Sequence, residues 1–527
     1  MNENNKTKRN SNNKQKHNLK NKPKPKTKLN YNYKHKRKDE TKKLLKKRYH
    51  PKKPINFNLL KDIFISQIKS LITNQKENLK EFNYIYKSFL VLFFIFTFIF
   101  LSAFYTINIG DYQLFKGNNV DIINHIKKNK TPIKVAYYCD TIKYGGVQRV
   151  MALLLNNLSK EDFFINYLIT NSERLKYEYP IPNNVIRISL SEQKINLYEA
   201  LEQEHIDILI YNFYENKEIE KLNELNNTKV IFYDHSCFLI WVYQKIFKFQ
   251  HSVYQAYKKC KYVISLIPLE NDYLFKIWGI NSVLMDNPST FEYNNVVPSD
   301  LSQKNIIMIG RAEDYMKRYD LGIKAMKYIL EEIPECIMNL VSETNKNHEK
   351  LIKILNLEKS VQFLGFSTNI EIYLQKASLH IMPSLCEAYP MVLSEAKIFG
   401  LPTIICGLDY LALAKGGTVI IYDDKPETIA KEAVKILKDD EYRKKLGKEA
   451  RESMQEHKNE YIIKKWVELL WSVYKGDDES FRSLNTHKKM TEEEADVILN
   501  NQLNLFKKRM PFKRRVNLQM LKSFSIK

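Results

Sequence analysis

Two glutamates and two cations carry the chemistry this sequence is built to do. The stretch "SLCEAYPMVLSEAKIFGLPTI" (384–404) holds Glu387 and Glu395 with seven residues between them. "LHIMPS" reads as a strand, "LCEAY" as a loop, and Pro390 as a first helical residue, where a missing N–H costs nothing. Gly400 and Pro402 stop that helix. Glu387 then sits in the loop and Glu395 about one and a half turns into the helix. Between them the free N–H groups of Met391 and Val392, aided by the helix dipole, offer an anion site. A diphosphate held there has one carboxylate beyond each end, which suits a nucleotide sugar: one glutamate for sugar hydroxyls, the other for ribose hydroxyls. The spacing alone recurs by chance in a sequence this acidic.

The cations come from "IIMIGRAEDYMKRYDLGIKAM" (306–326). Arg311 falls at the end of a strand and Lys317 in the loop before a helix. Two cations at a strand end can hold a leaving diphosphate, Arg through a bidentate fork and Lys as a point charge. The neighbouring Arg318 reads as a solvated charge. In "YYCDTIKYGGVQRVMALLLNNL" (137–158) a strand runs through Gly145-Gly146 into a helix. Two glycines allow a backbone to approach a ligand closely, and a simple tight turn explains them equally well. The Asp pairs at 423–424 and 439–440 fall at element ends and read as caps. No acidic metal-binding motif marks the site, and no metal or cofactor is expected beyond the donor substrate itself.

The elements that must position these residues repeat in two series. "IKVAYYC", "FFINYLIT", "VIRISL", "IDILIYN", "KVIFYDH" and "KYVISLI" are short apolar runs, the pattern of parallel strands buried on both faces. After "DNPST" (286–290) the alternation restarts with "KNIIMIG", "CIMNLV", "VQFLGF", "LHIMPS", "PTIICG" and "TVIIYD". Amphipathic stretches such as "DLGIKAMKYILEEI" lie between. The expected fold class is α/β: two Rossmann-like, doubly wound domains facing a cleft, at 132–290 and 300–455. A closing helix is expected at 456–476, and an appendage with a basic end at 477–527.

Charge is distributed unevenly over the 527 residues, whose formal net charge is +24. Residues 1–54 hold 21 Lys/Arg against 3 Asp/Glu, and residues 506–527 hold 8 Lys/Arg and no acid, leaving 55 basic and 57 acidic residues between. The body is near neutral, so no specific nucleic-acid partner is expected. The Asn/Lys-rich first 54 residues have too little apolar content to fold and read as a disordered tail. "SFLVLFFIFTFIFLSAFYTINIG" (88–110) has no charged residue and reaches about 34 Å as a helix, so one transmembrane anchor is expected. The localisation that follows is a single-pass membrane protein, with a cytoplasmic N-terminus favoured by the basic tail. The six cysteines are scattered, without a CxxC, and read as free thiols.

Taken together, "GGVQRV", "DNPST", "GRAEDYMKRYDLGIKAM", "VQFLGF" and "PSLCEAYPMVLSEAKIFGLPTI", in this order and spacing, resemble the family 4 retaining glycosyltransferases of GT-B fold. The resemblance spans about residues 132–475 and implies transfer of a sugar from a UDP- or GDP-type donor to a glycan, lipid or protein acceptor. By resemblance, Arg311 and Lys317 bind the donor diphosphate, Glu387 the sugar near the reacting centre, and Glu395 the ribose. Gly146 faces donor phosphates or acceptor, Phe366 lies by the nucleobase, and His235 in "FYDHS" occupies a place where the family often has a polar active-site residue. Two departures stand out: "NLVSE" where many members have a glycine turn, and Asp409 where many carry a glutamate. The rival readings are a non-catalytic GT-B module that binds sugar nucleotides or glycans, and a basic nuclear protein.

Overall fold

The computed structural model describes residues 131–509, apart from 144, 213–215, 241–256, 313–314 and 488. Both apolar series form sheets made wholly of parallel strands. The first has seven strands: β1 (Ile133–Cys139), β2 (Phe164–Thr170), β3 (Ile186–Ser189), β4 (Ile208–Tyr211), β5 (Lys229–Tyr233), β6 (Tyr262–Ser265) and β7 (Ser282–Leu284). Their order is β3-β2-β1-β4-β5-β6-β7. The second has six: β8 (Asn305–Ile309), β9 (Ile337–Val341), β10 (Val361–Phe363), β11 (Leu379–Met382), β12 (Thr403–Cys406) and β13 (Thr418–Ile421). Their order is β10-β9-β8-β11-β12-β13. These are two Rossmann-like sheets, each covered by helices, which is why the strands are apolar runs rather than alternations. In β1 every residue but Lys134 is buried.

In such sheets the strand order reverses at one point, where neighbouring strands send their following loops in opposite directions and open a crevice. The reversal lies between β1 and β4 in the first sheet and between β8 and β11 in the second, where both pairs are directly hydrogen-bonded. The helices that matter for the crevice are α1 (Gly146–Leu158) after β1, α2 (Asn216–Leu222) after β4 and α3 (Pro268–Trp278) after β6. On the second sheet they are α4 (Tyr319–Glu332) after β8 and α5 (Met391–Ile398) after β11.

The chain then returns to the first sheet. Helix α6 (Asn459–Lys475) buries Trp466 against Tyr233 of β5, ring centroids 5.3 Å apart, and Lys465 Nζ donates to the Leu284 carbonyl at 2.8 Å. Helix α7 (Glu492–Arg509) begins beside α3, where Lys276 meets Asp496 at 3.1 Å. It ends at the second sheet, where Arg509 binds Asp424 and donates to the Cys406 carbonyl at 2.9 Å. The last described helix therefore straps one domain to the other.

The membrane assignment is corrected. Among the described residues no helix is long and apolar enough to cross a membrane. The segment 88–110, on which the anchor and the single-pass localisation rested, lies outside the described residues, as do the basic tail at 1–54 and the end at 510–527. The six cysteines are free, and all but Cys260 are buried.

Candidate active site

The reversal point of the second sheet assembles the predicted cation and carboxylate. Strand β8 is followed by Gly310, whose φ of 149° is a conformation that L side chains rarely adopt. Arg311 follows, exposed at the crevice. The chain then makes a 3₁₀ turn, Tyr315–Lys317, and the Lys317 methylenes run past the Gly310 α-carbon. Strand β11 on the other side of the crevice delivers Glu387 through the loop 383–390. That loop is tied to the turn by the Leu385 N–H donating to the Met316 carbonyl at 2.7 Å. Lys317 Nζ and Glu387 Oε1 then meet at 2.7 Å, with the side chains 28 % and 12 % exposed. Both are screened in part, yet both remain reachable.

The backbone at Glu387 is held by a residue that sequence reasoning passed over. The Tyr410 hydroxyl accepts from the Glu387 N–H at 3.1 Å and donates to the Glu387 carbonyl at 2.9 Å. Tyr410 lies in "CGLDYLALAKGG", immediately after Asp409. Cys237 Sγ of the first domain approaches the same hydroxyl at 3.9 Å.

Pro390 stands at the N-cap rather than inside the helix, with an extended backbone (φ −72°, ψ 101°), and α5 begins at Met391. No side chain caps it. The N–H groups of Met391 and Val392 belong to the first turn, which has no intrahelical acceptors. They are left as the anion-facing end of the helix dipole.

Glu395, further along α5, is fully buried and already engaged. Its Oε1 accepts from Arg149 Nη1 of α1 at 2.5 Å and from Thr290 Oγ1 at 2.6 Å. The other oxygen, Oε2, is buried without a hydrogen-bond partner. The Glu395 charge pushes the Arg149 guanidinium pKa up, against the opposing effect of burial. Arg149 belongs to "GGVQRV" and Thr290 to "DNPST", so three of the quoted motifs converge on one carboxylate. This convergence was not read from the sequence. The available signal was helical: Arg149 sits one turn beyond Gly146.

The remaining predicted residues stand on neighbouring elements. Gly146 is the first residue of α1, and a Cβ added there would meet nothing within 4 Å. Phe366 is 49 % exposed, follows Gly365 (φ 76°), and donates its N–H to Glu343 Oε1 at 3.3 Å. Glu343 is thus the acid of the departing "NLVSE". His235 follows β5, two residues before Cys237. Its ring packs on Tyr233 with centroids 4.0 Å apart, its Nε2 is buried without a partner, and burial pushes its pKa down to about 3. It is a neutral imidazole at physiological pH. Arg318 is not a solvated charge: its guanidinium donates to the Pro383 carbonyl at 2.6 Å and to Asp424 at 2.8 Å, bracing the Glu387 loop. Among the described residues no cluster of three His, Cys, Asp or Glu side chains forms a metal site.

Comparison with known proteins agrees with this architecture. Residues 289–453, which contain Arg311, Lys317, Glu387 and Glu395, match the family described as "Glycosyl transferases group 1". A glycosyltransferase of Haemophilus influenzae is 22 % identical over 343 residues, covering 62 % of this chain and 96 % of that protein. A Campylobacter jejuni α-1,4-N-acetyl-D-galactosaminyltransferase, named for an undecaprenol diphosphate-linked acceptor, is 22 % identical over 365 residues, covering 65 % of this chain and 99 % of its own. Among solved structures, sucrose-phosphate synthase from Thermosynechococcus elongatus superposes with TM-score 0.54 at 18 % identity, covering 66 % of this chain and 100 % of that one. Anabaena HepE, solved with UDP and glucose, gives 0.52 at 16 %, covering 64 % and 100 %. The chain therefore carries, over residues 289–453, a glycosyl transferases group 1 domain set in a two-domain GT-B fold.

Proposed function

We propose that the protein is a retaining glycosyltransferase of the family 4 type, which moves a sugar from a UDP- or GDP-linked donor to a carbohydrate, lipid or protein acceptor. The observation that carries the reading is the Lys317–Glu387 pair at the reversal point of the second sheet, beside an uncapped helix N-terminus. The group 1 match and the UDP-bound structural neighbour support it.

On this reading the donor diphosphate takes over Lys317 from Glu387. Arg311 adds a second cation and the Met391 and Val392 N–H groups add the helix dipole, so negative charge developing on the leaving group is met by groups already in place. Glu387, released, accepts hydrogen bonds from the donor sugar. The bond between C1 and the diphosphate oxygen breaks with its electron pair going to that oxygen. The acceptor hydroxyl oxygen bonds to C1 from the same face, and its proton passes to the departing phosphate. Same-face attack retains the anomeric configuration. His235, neutral, serves as a hydrogen-bonding group rather than as a cation. These protein groups answer the diphosphate charge without calling on a metal ion.

The test is a panel of UDP- and GDP-sugars with the full-length protein, following nucleotide release and the product anomer by NMR. Lys317→Ala and Glu387→Gln are each expected to lower kcat/KM by about a hundredfold or more. Turnover unchanged in both variants would overturn the assignment, and an inverted product would overturn the retaining mechanism.

A further inference from the structure

Helix α7 ends against the two segments of the second domain that frame the Glu387 loop. Ile498, Leu499 and Leu503 lie half-buried against the core and seat the helix by apolar contact. It also buries two polar side chains: Gln502 is 3 % exposed and the Arg509 side chain 2 %. Apolar contact alone tolerates many registers, whereas buried hydrogen bonds specify one. The fit at the end of the helix is close. At Gly407, where φ is 61°, an added Cβ would meet Arg509 Nη2 at 2.8 Å and Leu505 Cδ1 at 3.2 Å, so the helix lies against bare backbone.

Each buried polar side chain starts a short relay. Gln502 Nε2 donates to Asp409 Oδ1, and the Tyr422 hydroxyl donates to the other oxygen at 2.9 Å. Asp409 is thereby fixed, and the next residue is Tyr410, whose hydroxyl clamps the Glu387 N–H and carbonyl. Arg509 Nε donates to Asp424 Oδ2 and its Nη1 to the Cys406 carbonyl at 2.9 Å. Asp424 Oδ1 accepts from Arg318 Nη2 at 2.8 Å, and Arg318 Nε donates to the Pro383 carbonyl at 2.6 Å. Pro383 opens the Glu387 loop, and Arg318 is the residue after Lys317. Arg318 and Asp424 both have left-handed backbones, φ 49° and 56°, which surrounding contacts must hold in place.

Both relays begin on α7 and finish on one loop, the first at Glu387 itself and the second where the loop starts. Covering the surface needs only the apolar contact, so the two polar constraints are an addition, and they fall on the same target. We propose that α7 is a positioning element for the candidate active site, in which Gln502 and Arg509 hold the Glu387 loop in its working geometry opposite Lys317. They act through Asp409–Tyr410 and through Asp424–Arg318, at a remove from any substrate. A helix that follows both sheets in the chain thus sets how well the Lys317–Glu387 pair is preorganised. The consequence for turnover rests on the glycosyltransferase reading above, while the hold on the loop does not.

The experiment uses the full-length protein and its variants Gln502→Leu, Arg509→Met and Arg509→Lys. Iodoacetamide alkylation of the native protein, read by mass spectrometry, follows two buried thiols. Cys386, the residue before Glu387 and 4 % exposed, reports opening of the loop, and Cys336, 0 % exposed at the start of β9, reports opening of the whole domain. Gln502→Leu and Arg509→Met should each speed Cys386 alkylation about tenfold and leave the Cys336 rate unchanged, with Arg509→Lys in between. On the UDP- or GDP-sugar that the wild type turns over, kcat should fall about tenfold in the same two variants and the donor KM should change little. An unchanged Cys386 rate in either variant, Cys386 and Cys336 accelerating together, or an unaltered kcat with a loosened loop overturns the proposal. Should Arg509→Met not fold, Gln502→Leu decides by the same criteria. If the wild type turns over no sugar nucleotide, the glycosyltransferase reading fails, and the ratio of the two alkylation rates still decides whether α7 holds the loop.

Discussion

Removing Arg149 should expose how much the two domains depend on one buried carboxylate. In Arg149→Ala, Glu395 keeps the Thr290 hydroxyl and loses the Arg149 cation while remaining wholly excluded from water. Breaking a buried ion pair from one side costs about 3–5 kcal/mol, because the surviving charge stays buried. Arg149 retains 20 % of its side-chain exposure and Thr290 still donates, so the lower end, about 3 kcal/mol, is the expected loss. That is roughly a hundredfold in a folding equilibrium, at about 1.4 kcal/mol per decade. Urea unfolding followed by tryptophan fluorescence reads it, since Trp466 is buried where α6 meets the first sheet.

The decisive comparison is a double-mutant cycle. Glu395→Leu removes the charge that Arg149→Ala strands, so the double variant should be more stable than the two single losses add up to. The coupling should exceed 1 kcal/mol in magnitude, against the roughly 0.5 kcal/mol scatter seen for independent sites. Arg149→Lys, which keeps the charge and loses the fork, should fall between wild type and Arg149→Ala. Losses that simply add would refute the reasoning, because the 2.5 Å contact would then carry no energy of its own.

Two further outcomes follow from named contacts. Tyr410→Phe removes both hydrogen bonds that clamp the Glu387 backbone and keeps the ring, so kcat should fall about tenfold with the donor KM little changed; an equal rise in KM would point to a binding defect instead. His380 is fully buried on β11 with both ring nitrogens unpartnered, and burial pushes its pKa down to about 3. Between pH 6.5 and 3 the unfolded chain therefore binds a proton that the folded chain refuses, so the stability is whole above 6.5 and drains as pH falls. In urea midpoints taken against pH, His380→Leu should flatten that acid limb, by about 1.4 kcal/mol per pH unit at its steepest; an unaltered limb would contradict it.

What could be read from the sequence was whatever repeats locally. The twelve quoted apolar runs all became strands, because a parallel sheet buried on both faces leaves no alternative but consecutive apolar residues. Strand β7 escaped notice, since "SVL" at 282–284 is too short to stand out as a run. The Lys317–Glu387 meeting was approachable because both sit just beyond strand ends, and the reversal point brings β8 and β11 together. Arg149 and Glu395 lie 246 positions apart, on helices of different domains, and no spacing rule joins them. Arg318 misled for the same reason. Its partners, Pro383 and Asp424, are 65 and 106 residues away, so its charge looked free in a local window. The anchor expected at 88–110 had only hydropathy behind it, and no helix among the described residues supports it.

The unliganded pairing has a consequence for what the site should prefer. Lys317 is satisfied by Glu387, so a phosphate that arrives must displace a carboxylate at 2.7 Å rather than fill a bare cationic patch. On the proposed reading, a free nucleoside diphosphate takes Lys317 and strands Glu387, whose side chain is only 12 % exposed and is poorly compensated by water. A donor that still carries its sugar brings hydroxyls for the released carboxylate, and the exchange then balances. The same glutamate thus favours the loaded donor over its spent product, with the sugar hydroxyls supplying the difference. Glu395 is placed differently, because Arg149 and Thr290 from outside its own helix already hold its Oε1. Of two acids with seven residues between them, one is paired with a cation of its own domain and the other with a cation of the facing domain.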